Sequence, residues 1–274
     1  MFISRYYKDN TKYKLFIYYE VKKMEPFEIL SIISNEYQDI LGENLCGIYV
    51  HGSLAFGCFN WNKSDIDFLV VVYESLTQSK KEALIRTLLR LNQVAPSKGF
   101  EMSVVLYCDC RDFHYPTPFQ LHYSNTHIKK ITDNLTEYCR TMNGVDCDMA
   151  AHFTVIKEVR VVHYGKPIAD VFGLVSQSNY LASIKSDVED AENEIVTNPI
   201  YVILNLCRVL AYMKHGFVLS KMEGGKWGKT HLSDEYTDFI QKALECYSND
   251  KEFVMDVNIG QKFASYMKRE IFSE

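Results

Sequence analysis

The sequence predicts an α+β protein in which an N-terminal domain, a mixed sheet covered by helices, precedes a C-terminal helical bundle. Short apolar, strand-like runs at residues 47–51, 66–72 and 101–107 all fall in the first half of the chain. Helical patterns separate these runs, and strand-like patterns fade after about residue 172. With 274 residues and 47% hydrophobic content, the chain is long enough for two modest cores.

The elements of the N-terminal part follow from local patterns. Apolar residues at helical spacing predict helices, and β-branched runs bounded by small residues predict strands. The predicted order is helix 26–41, strand 47–51, turn 52–57, strand 66–72, helix 78–93, strand 101–107, an irregular segment 111–125, helix 147–162 and a closing strand or turn at 161–167. Prolines 116 and 118 are the reason for predicting irregular structure in 111–125.

The C-terminal part is predicted to be a bundle of four or five helices. Residues 170–193 are predicted to be helical with only mild breaks. Asn198 is a suitable N-cap and Pro199 a suitable first residue for the next helix, which ends at His215-Gly216. Two further helices are predicted at 234–247 and 261–272. The predicted division is an extension at 1–23, a first domain at 24–172 and a helical domain at 173–274.

Composition narrows the class of partner. The net charge of −5 and the pI near 5.9 disfavour a nucleic-acid partner, which normally requires a basic face, and favour a cationic small molecule. No segment has the ~20 apolar residues that span a bilayer, and residues 1–23 lack a secretory pattern. The eight scattered cysteines favour reduced thiols in a cytoplasmic protein. The sequence leaves the oligomeric state open, although a monomer is compatible with it.

The most informative passage is a small-residue turn followed by two carboxylates. Gly52-Ser53 follows an apolar run, where free backbone amides suit a phosphate. Asp65 and Asp67 stand at the entry of the apolar run that ends at Val72. Side chains two residues apart on a strand share a face, with Cα atoms roughly 6.6 Å apart, so the two carboxylates can converge on Mg²⁺.

This pattern resembles the nucleotidyltransferase superfamily typified by DNA polymerase beta, and within it the aminoglycoside adenylyltransferases that modify streptomycin and spectinomycin. In that superfamily a third carboxylate lies on a neighbouring strand, and Glu101 is the matching residue. Family members also carry a helix Arg, then a Lys, then a Trp, which match Arg208, Lys221 and Trp227. The resemblance covers roughly residues 40 to 245.

The resemblance implies a reaction and a role for each matching residue. Gly52, Ser53, Arg208 and Lys221 are expected to hold the phosphates of ATP. Asp65, Asp67 and Glu101 are expected to bind Mg²⁺, in two sites, and Glu101 to take the proton from an acceptor hydroxyl. The expected reaction transfers AMP to a hydroxyl of an aminoglycoside or aminocyclitol antibiotic and releases pyrophosphate, which gives resistance.

An acidic segment, Asp187 to Glu194, is the predicted acceptor wall. On a continuous helix, Asp187, Asp190 and Glu194 share a face, and the resembled family places acceptor-binding residues in this region. Two positions differ from the streptomycin-modifying relatives. Asn198 stands where those relatives carry an Asp, and no Trp follows Phe119-Gln120, whereas those relatives have a Trp shortly after the same pair. These departures favour spectinomycin over streptomycin. The alternative interpretation of the acidic run is a solvated helix face.

Other interpretations stay open at the level of sequence. Ser53 is also a suitable N-cap, Arg208 is also suited to a buried salt bridge, and Lys221 is also compatible with a surface position beside a Gly-rich loop. His51 departs from the family pattern and suits packing or hydrogen bonding. Alternative functions are nucleotidyl transfer to a protein, an RNA end or another small molecule, and a nucleotide-binding antitoxin or regulator.

Overall fold

The computed structural model describes residues 24–249 and 251–273, so the predicted extension at 1–23 lies outside the described residues. The helices are α1 (Pro26–Leu41), α2 (Gly52–Ala55), α3 (Gln78–Leu91), α4 (Tyr107–Arg111), α5 (Ile128–Asp133), α6 (Leu135–Thr141), α7 (Met149–Val159), α8 (Ile168–Val171), α9 (Gln177–Ser186), α10 (Ala191–Thr197), α11 (Pro199–His215), α12 (Lys221–His231), α13 (Thr237–Ser248) and α14 (Val257–Phe272). The strands are β1 (Leu45–Val50), β2 (Ile66–Val72), β3 (Phe100–Leu106), β4 (Thr117–Phe119), β5 (Leu121–Ser124), β6 (Gly144–Asp146) and β7 (Val162–Gly165).

The predicted α+β class is confirmed, and its centre is a five-stranded mixed sheet with the order β5-β3-β2-β1-β7. Strands β2 and β3 are parallel, whereas the other three pairs are antiparallel. All seven residues of β2 are buried, as expected for a strand with neighbours on both edges and helices on both faces. The side chains of α1 and α3 pack on one face of the sheet, and those of α7 pack on the other.

Two predictions about the connecting segments are wrong. Residues 111–125 are not wholly irregular, because β4 and β5 lie within them and β5 joins the edge of β3. Leu121 and Tyr123, two residues apart, both bury their side chains in the core. This strand-like alternation predicts β5 more reliably than the nearby prolines predict irregular structure. Residues 170–193 are likewise not one mildly broken helix: α9 ends at Ser186, and α10 begins only at Ala191.

The helices after α8 surround a separate apolar core, centred on the long helix α11. Asn198 and Pro199 stand at the predicted N-cap and first helical position of α11, although the Asn198 side chain makes no capping hydrogen bond. The division into domains at residues 172 and 173 stays a prediction. Lys63, in the loop before β2, donates hydrogen bonds to the backbone carbonyls of Cys246 and Asn249 and so ties the helical part to the sheet.

Helix α12 packs unusually closely against α11 because glycines form the contact. A Cβ atom at Gly224 would lie 2.6 Å from Cβ of Arg208, and one at Gly228 would lie 2.6 Å from Sγ of Cys207. Both distances are shorter than van der Waals contact, so larger residues would push the helices apart. The Gly-rich segment predicted beside Lys221 is therefore part of a helix, which Ser220 and Glu223 cap through a capping box.

All eight cysteines are unpaired, and five of them are buried. Within the described part of the chain, no helix combines the length and the apolar character needed to cross a membrane.

Candidate active site

Three carboxylates meet at the start of the parallel strand pair. Asp67 is the second residue of β2, and the parallel register places it directly opposite Glu101 of β3. Asp65 lies just before β2 and shares the face of Asp67, as the period of two predicts. One ligand oxygen from each residue lies within 4.8 Å of the other two. The sequence-predicted metal ligands are thus brought together.

The negative charges of the three carboxylates repel one another. Burial, followed by the negative charges of Asp65 and Glu101, holds the pKa of Asp67 well above its usual range. Burial also raises the pKa of Glu101, although His152 opposes that shift. Grouped carboxylate oxygens of this kind suit a hard divalent cation such as Mg²⁺, whose charge would offset the repulsion. The donor set therefore fits the metal that the sequence predicts.

The turn before the carboxylates comes very close to them. Gly52 has a φ of +61°, and the short helix α2 begins at this residue. The backbone N–H of Ser53 favours the charged form of the Asp67 carboxylate and lowers its pKa, against the effect of burial. The Oγ atom of Ser53 is buried with no hydrogen-bond partner among the described residues. His51 is buried, and burial together with His152 keeps the pKa of His51 well below its usual range. A neutral His51 packs against the His152 ring at 4.3 Å between centroids.

Two cations reach the same cleft from the helical part. Arg208 extends from α11, and Lys221 is the first residue of α12. Lys221 is not a surface lysine: its Nζ lies 4.3 Å from the centroid of the Tyr201 ring, and burial, then the Arg208 charge, lower its pKa to about 8. The charges of Asp65 and Asp67 act on Lys221 in the opposite direction, which indicates that the cation faces the carboxylates.

Asp187 organises the residues around Arg208. Its Oδ1 accepts a hydrogen bond from the Tyr201 hydroxyl at 2.8 Å, and its Oδ2 accepts one from Nδ2 of Asn205 at 2.7 Å. The same Oδ2 forms a salt bridge with Nη2 of Arg208 at 3.4 Å. Because both oxygens have partners, Asp187 holds Arg208 toward the cleft rather than offering a free carboxylate.

The four predicted acceptor residues separate into two groups. The cleft, of about 430 Å³, is lined by Asp187 and Asn198 but not by Asp190 or Glu194. The prediction that Asp187, Asp190 and Glu194 share a helix face is wrong, because the chain turns at residues 187–190. Asp190 is instead the N-terminal flanking residue of α10, and Glu194 is exposed.

Comparison with known proteins agrees with the motifs. Residues 170–270 match the family described as "Aminoglycoside adenylyltransferase, C-terminal domain". The chain is 22% identical to an aminoglycoside (3'') (9) adenylyltransferase of Escherichia coli, over 89% of this chain and 96% of that protein. It is 21% identical to a spectinomycin 9-adenylyltransferase of Staphylococcus aureus, over 78% of this chain and 82% of that protein.

A solved structure has the same fold. It is the spectinomycin adenyltransferase AAD(9) from Enterococcus faecialis with ATP and spectinomycin, which superposes with a TM-score of 0.74 at 20% identity over 89% of this chain and 98% of that one. The resemblance to the aminoglycoside adenylyltransferases is confirmed. These relatives are nucleotidyltransferases by name, and the match extends over both the sheet and the helical part.

Beside this adenylyltransferase-like arrangement, the cleft contains residues that sequence reasoning missed. Asp148 lies just before α7, and His152 lies one turn into it. Both line the cleft, as does Tyr201 of α11. The only local signal was Asp146-Cys147-Asp148 at the start of a predicted helix, which is equally typical of a helix N-terminus.

Replacing Gly52 with Ala is expected to disrupt this adenylyltransferase-like site. A Cβ at Gly52 would lie 1.8 Å from Oδ2 of Asp67, and an L-residue at φ +61° adds a strain of about 1–2 kcal/mol. Gly57 is a matched control, since its φ is +69° but no atom lies within 4 Å of the added Cβ. Thermal melting should show destabilisation from strain in both variants, larger in Gly52→Ala because of the clash with Asp67, and turnover should be lost in Gly52→Ala alone. Equal activity in the two variants would contradict a role for the Gly52–Asp67 contact.

Proposed function

We propose that this chain transfers AMP from ATP to a hydroxyl of a cationic aminoglycoside or aminocyclitol. The observation that carries the proposal is the cleft itself, where Asp65, Asp67 and Glu101 converge within 4.8 Å. Arg208 and Lys221 line the same cleft. A carboxylate cluster beside two cations suits a metal-bound polyphosphate better than either group alone would. The names of the relatives support the choice of reaction and acceptor class.

The nucleotide is proposed to lie with its phosphates between the turn and the helical part. Ser53 contributes a hydroxyl that has no hydrogen-bond partner within residues 24–249 and 251–273, and the absence of a side chain at Gly52 leaves room for Asp67 beside the turn. Arg208 and Lys221 pair with the phosphate oxygens. Mg²⁺ held by Asp65, Asp67 and Glu101 would supply a Lewis acid that offsets negative charge on the phosphates.

Glu101 is proposed to take the proton from the acceptor. The acceptor oxygen forms a bond to the α-phosphorus, the bond from that phosphorus to the bridging oxygen breaks, and pyrophosphate leaves. The hydroxyl proton passes to the Glu101 carboxylate, which has two oxygens and so has the capacity to serve both as metal ligand and as base. Burial raises the pKa of Glu101, which makes it a stronger base than an exposed glutamate.

The proposal is tested by incubating the protein with labelled ATP, Mg²⁺ and a panel that includes spectinomycin and streptomycin. We expect acceptor-dependent pyrophosphate release and labelled AMP on the small molecule, with a higher kcat/KM for spectinomycin. Removing Mg²⁺ with EDTA should stop both signals. Label on a protein or on RNA would instead favour those acceptors, and ATP binding without pyrophosphate release for any acceptor would favour a regulator.

A further inference from the structure

Two histidines lie together where α11 and α12 end. His215 is the last residue of α11, and His231 is the last residue of α12. Their ring centroids are 5.6 Å apart, and both residues are exposed. Neither residue lines the cleft that contains the carboxylate cluster. The pair is therefore a group of metal-binding side chains that the proposed function does not use.

The hydrogen bonds of His231 determine which of its ring nitrogens is free. Nδ1 lies 2.9 Å from the backbone carbonyl oxygen of Trp227, which is only an acceptor, so Nδ1 carries the proton. The Thr230 hydroxyl donates to the same carbonyl and accepts from Nδ1 at 2.8 Å. In a neutral imidazole with a protonated Nδ1, the free lone pair is on Nε2. A backbone carbonyl holds many metal-binding histidines in the same way.

The second histidine is free to share a ligand with the first. Within the part of the chain that the structure describes, the His215 ring nitrogens make no hydrogen bond, and the ring contacts Phe217 and Trp227 at 5.3 and 5.8 Å between centroids. Two imidazoles that bind one ion through bonds of about 2.0–2.1 Å have ring centroids roughly 4.5–5.5 Å apart. Because the observed separation of 5.6 Å is close to this range, small rotations of two exposed side chains complete the site.

The surroundings of the pair favour a cation. The last carbonyl groups of a helix lack partners within it and carry a partial negative charge, and both α11 and α12 end at this point. The lysines of the two last turns have partners of their own. Lys214 forms a salt bridge with Glu270 at 3.3 Å, and Lys229 donates a hydrogen bond to the side chain of Gln241.

We propose that His215 and His231 bind one divalent transition-metal ion of the Zn²⁺ or Ni²⁺ type, through Nε2 of His231 and a ring nitrogen of His215. Water fills the remaining coordination positions. Imidazole suits these ions, whereas Mg²⁺ prefers oxygen ligands, so the histidine pair and the carboxylate cluster select different metals. The ion joins the ends of two helices that already pack closely through Gly224 and Gly228. The site does not depend on which reaction the cleft catalyses.

The site is tested by titrating untagged protein with Ni²⁺ in excess Mg²⁺, which competes for the carboxylate oxygens. Trp227 stacks on His231 at 4.7 Å with an interplanar angle of 8°, so bound Ni²⁺ should quench its fluorescence. Trp61 is the only other tryptophan of the sequence, and a Trp61→Phe background leaves Trp227 as the single reporter. We expect saturable quenching. His215→Ala and His231→Ala should each weaken Ni²⁺ binding at least about tenfold, since even the loss of a ligand's outer partner costs 10–100-fold.

A control separates this site from general binding to histidine. His114 is also exposed, but its ring faces Asp109 rather than a second histidine, and His114→Ala should leave the affinity for Ni²⁺ unchanged. Ni²⁺ should raise the melting temperature of the wild type more than that of either pair variant. His215→Ala removes no hydrogen bond, so it tests the site even if His231→Ala folds poorly. Equal affinity in wild type and His215→Ala, or quenching that does not saturate, would overturn the proposal.

Discussion

Replacing Asp67 with Asn is expected to lower Mg²⁺-dependent turnover by about 10³-fold or more, since a catalytic metal ion contributes several kcal/mol to transition-state stabilisation. The carboxylate lies opposite Glu101 in the parallel register and within 4.8 Å of both other acidic groups, so its loss removes one of the three ligands of the proposed metal site. Asp65→Asn is expected to have the same effect. Pyrophosphate release with saturating ATP and acceptor measures the loss.

The stability of the Asp67→Asn variant gives a second readout. A carboxyl pKa raised by folding means that the charged form destabilises the folded, metal-free protein at pH 7. Removing that charge should therefore maintain or raise the melting temperature without metal. Added Mg²⁺ should raise the melting temperature of wild type but not of the variant, because the variant would lack one of the three proposed ligands. Wild-type turnover in Asp67→Asn would contradict the assignment.

Glu101→Gln is expected to reduce turnover by about 10²–10⁴, the usual contribution of a general base, while ATP still binds. Gln keeps the size of the side chain and its position opposite Asp67 but cannot accept the acceptor proton at neutral pH. Calorimetric titration with ATP measures binding, and single-turnover rates measure the chemical step. Glu194→Gln serves as the matched exchange at an exposed position.

The outcome for Glu101→Gln separates its two proposed roles. If Glu101→Gln binds ATP with the affinity of the wild type but the chemical step is slow, Glu101 acts as the general base. Loss of Mg²⁺-dependent ATP binding together with turnover would indicate that Glu101 acts mainly as a metal ligand. A decrease in turnover of less than about tenfold would show that another group takes the proton.

The pairing of Asp65 and Asp67 was predictable because local rules determine it, whereas Glu101 was assigned through the resemblance. The period of a strand fixes the common face of Asp65 and Asp67, and a fully apolar run such as Phe68 to Val72 identifies a central strand. Arg208 and Lys221 required the resemblance, since no local pattern links them to residues more than 100 positions earlier. Their location in the same cleft follows from the packing of the helical part.

The acceptor wall was predicted less well because it depends on tertiary contacts. Asp187 turns inward to pair with Tyr201, Asn205 and Arg208, and the chain leaves the helix at this point. The spacing of acidic residues in the sequence does not show that the helix breaks between Ser186 and Ala191. Asp148 was missed because acidic residues just before a helix are equally typical of an ordinary helix N-terminus, and only the fold shows that Asp148 lines the cleft.

The close contact between α11 and α12 has a consequence for how the two positive charges move. Gly224 lies so near the backbone of Arg208 that the two helices form one unit, which carries Arg208 on one member and Lys221 on the other. A rotation of this unit about the sheet therefore advances or withdraws both charges together. In the proposed function, Arg208 and Lys221 would therefore reach the triphosphate as a pair of charges held at a fixed spacing.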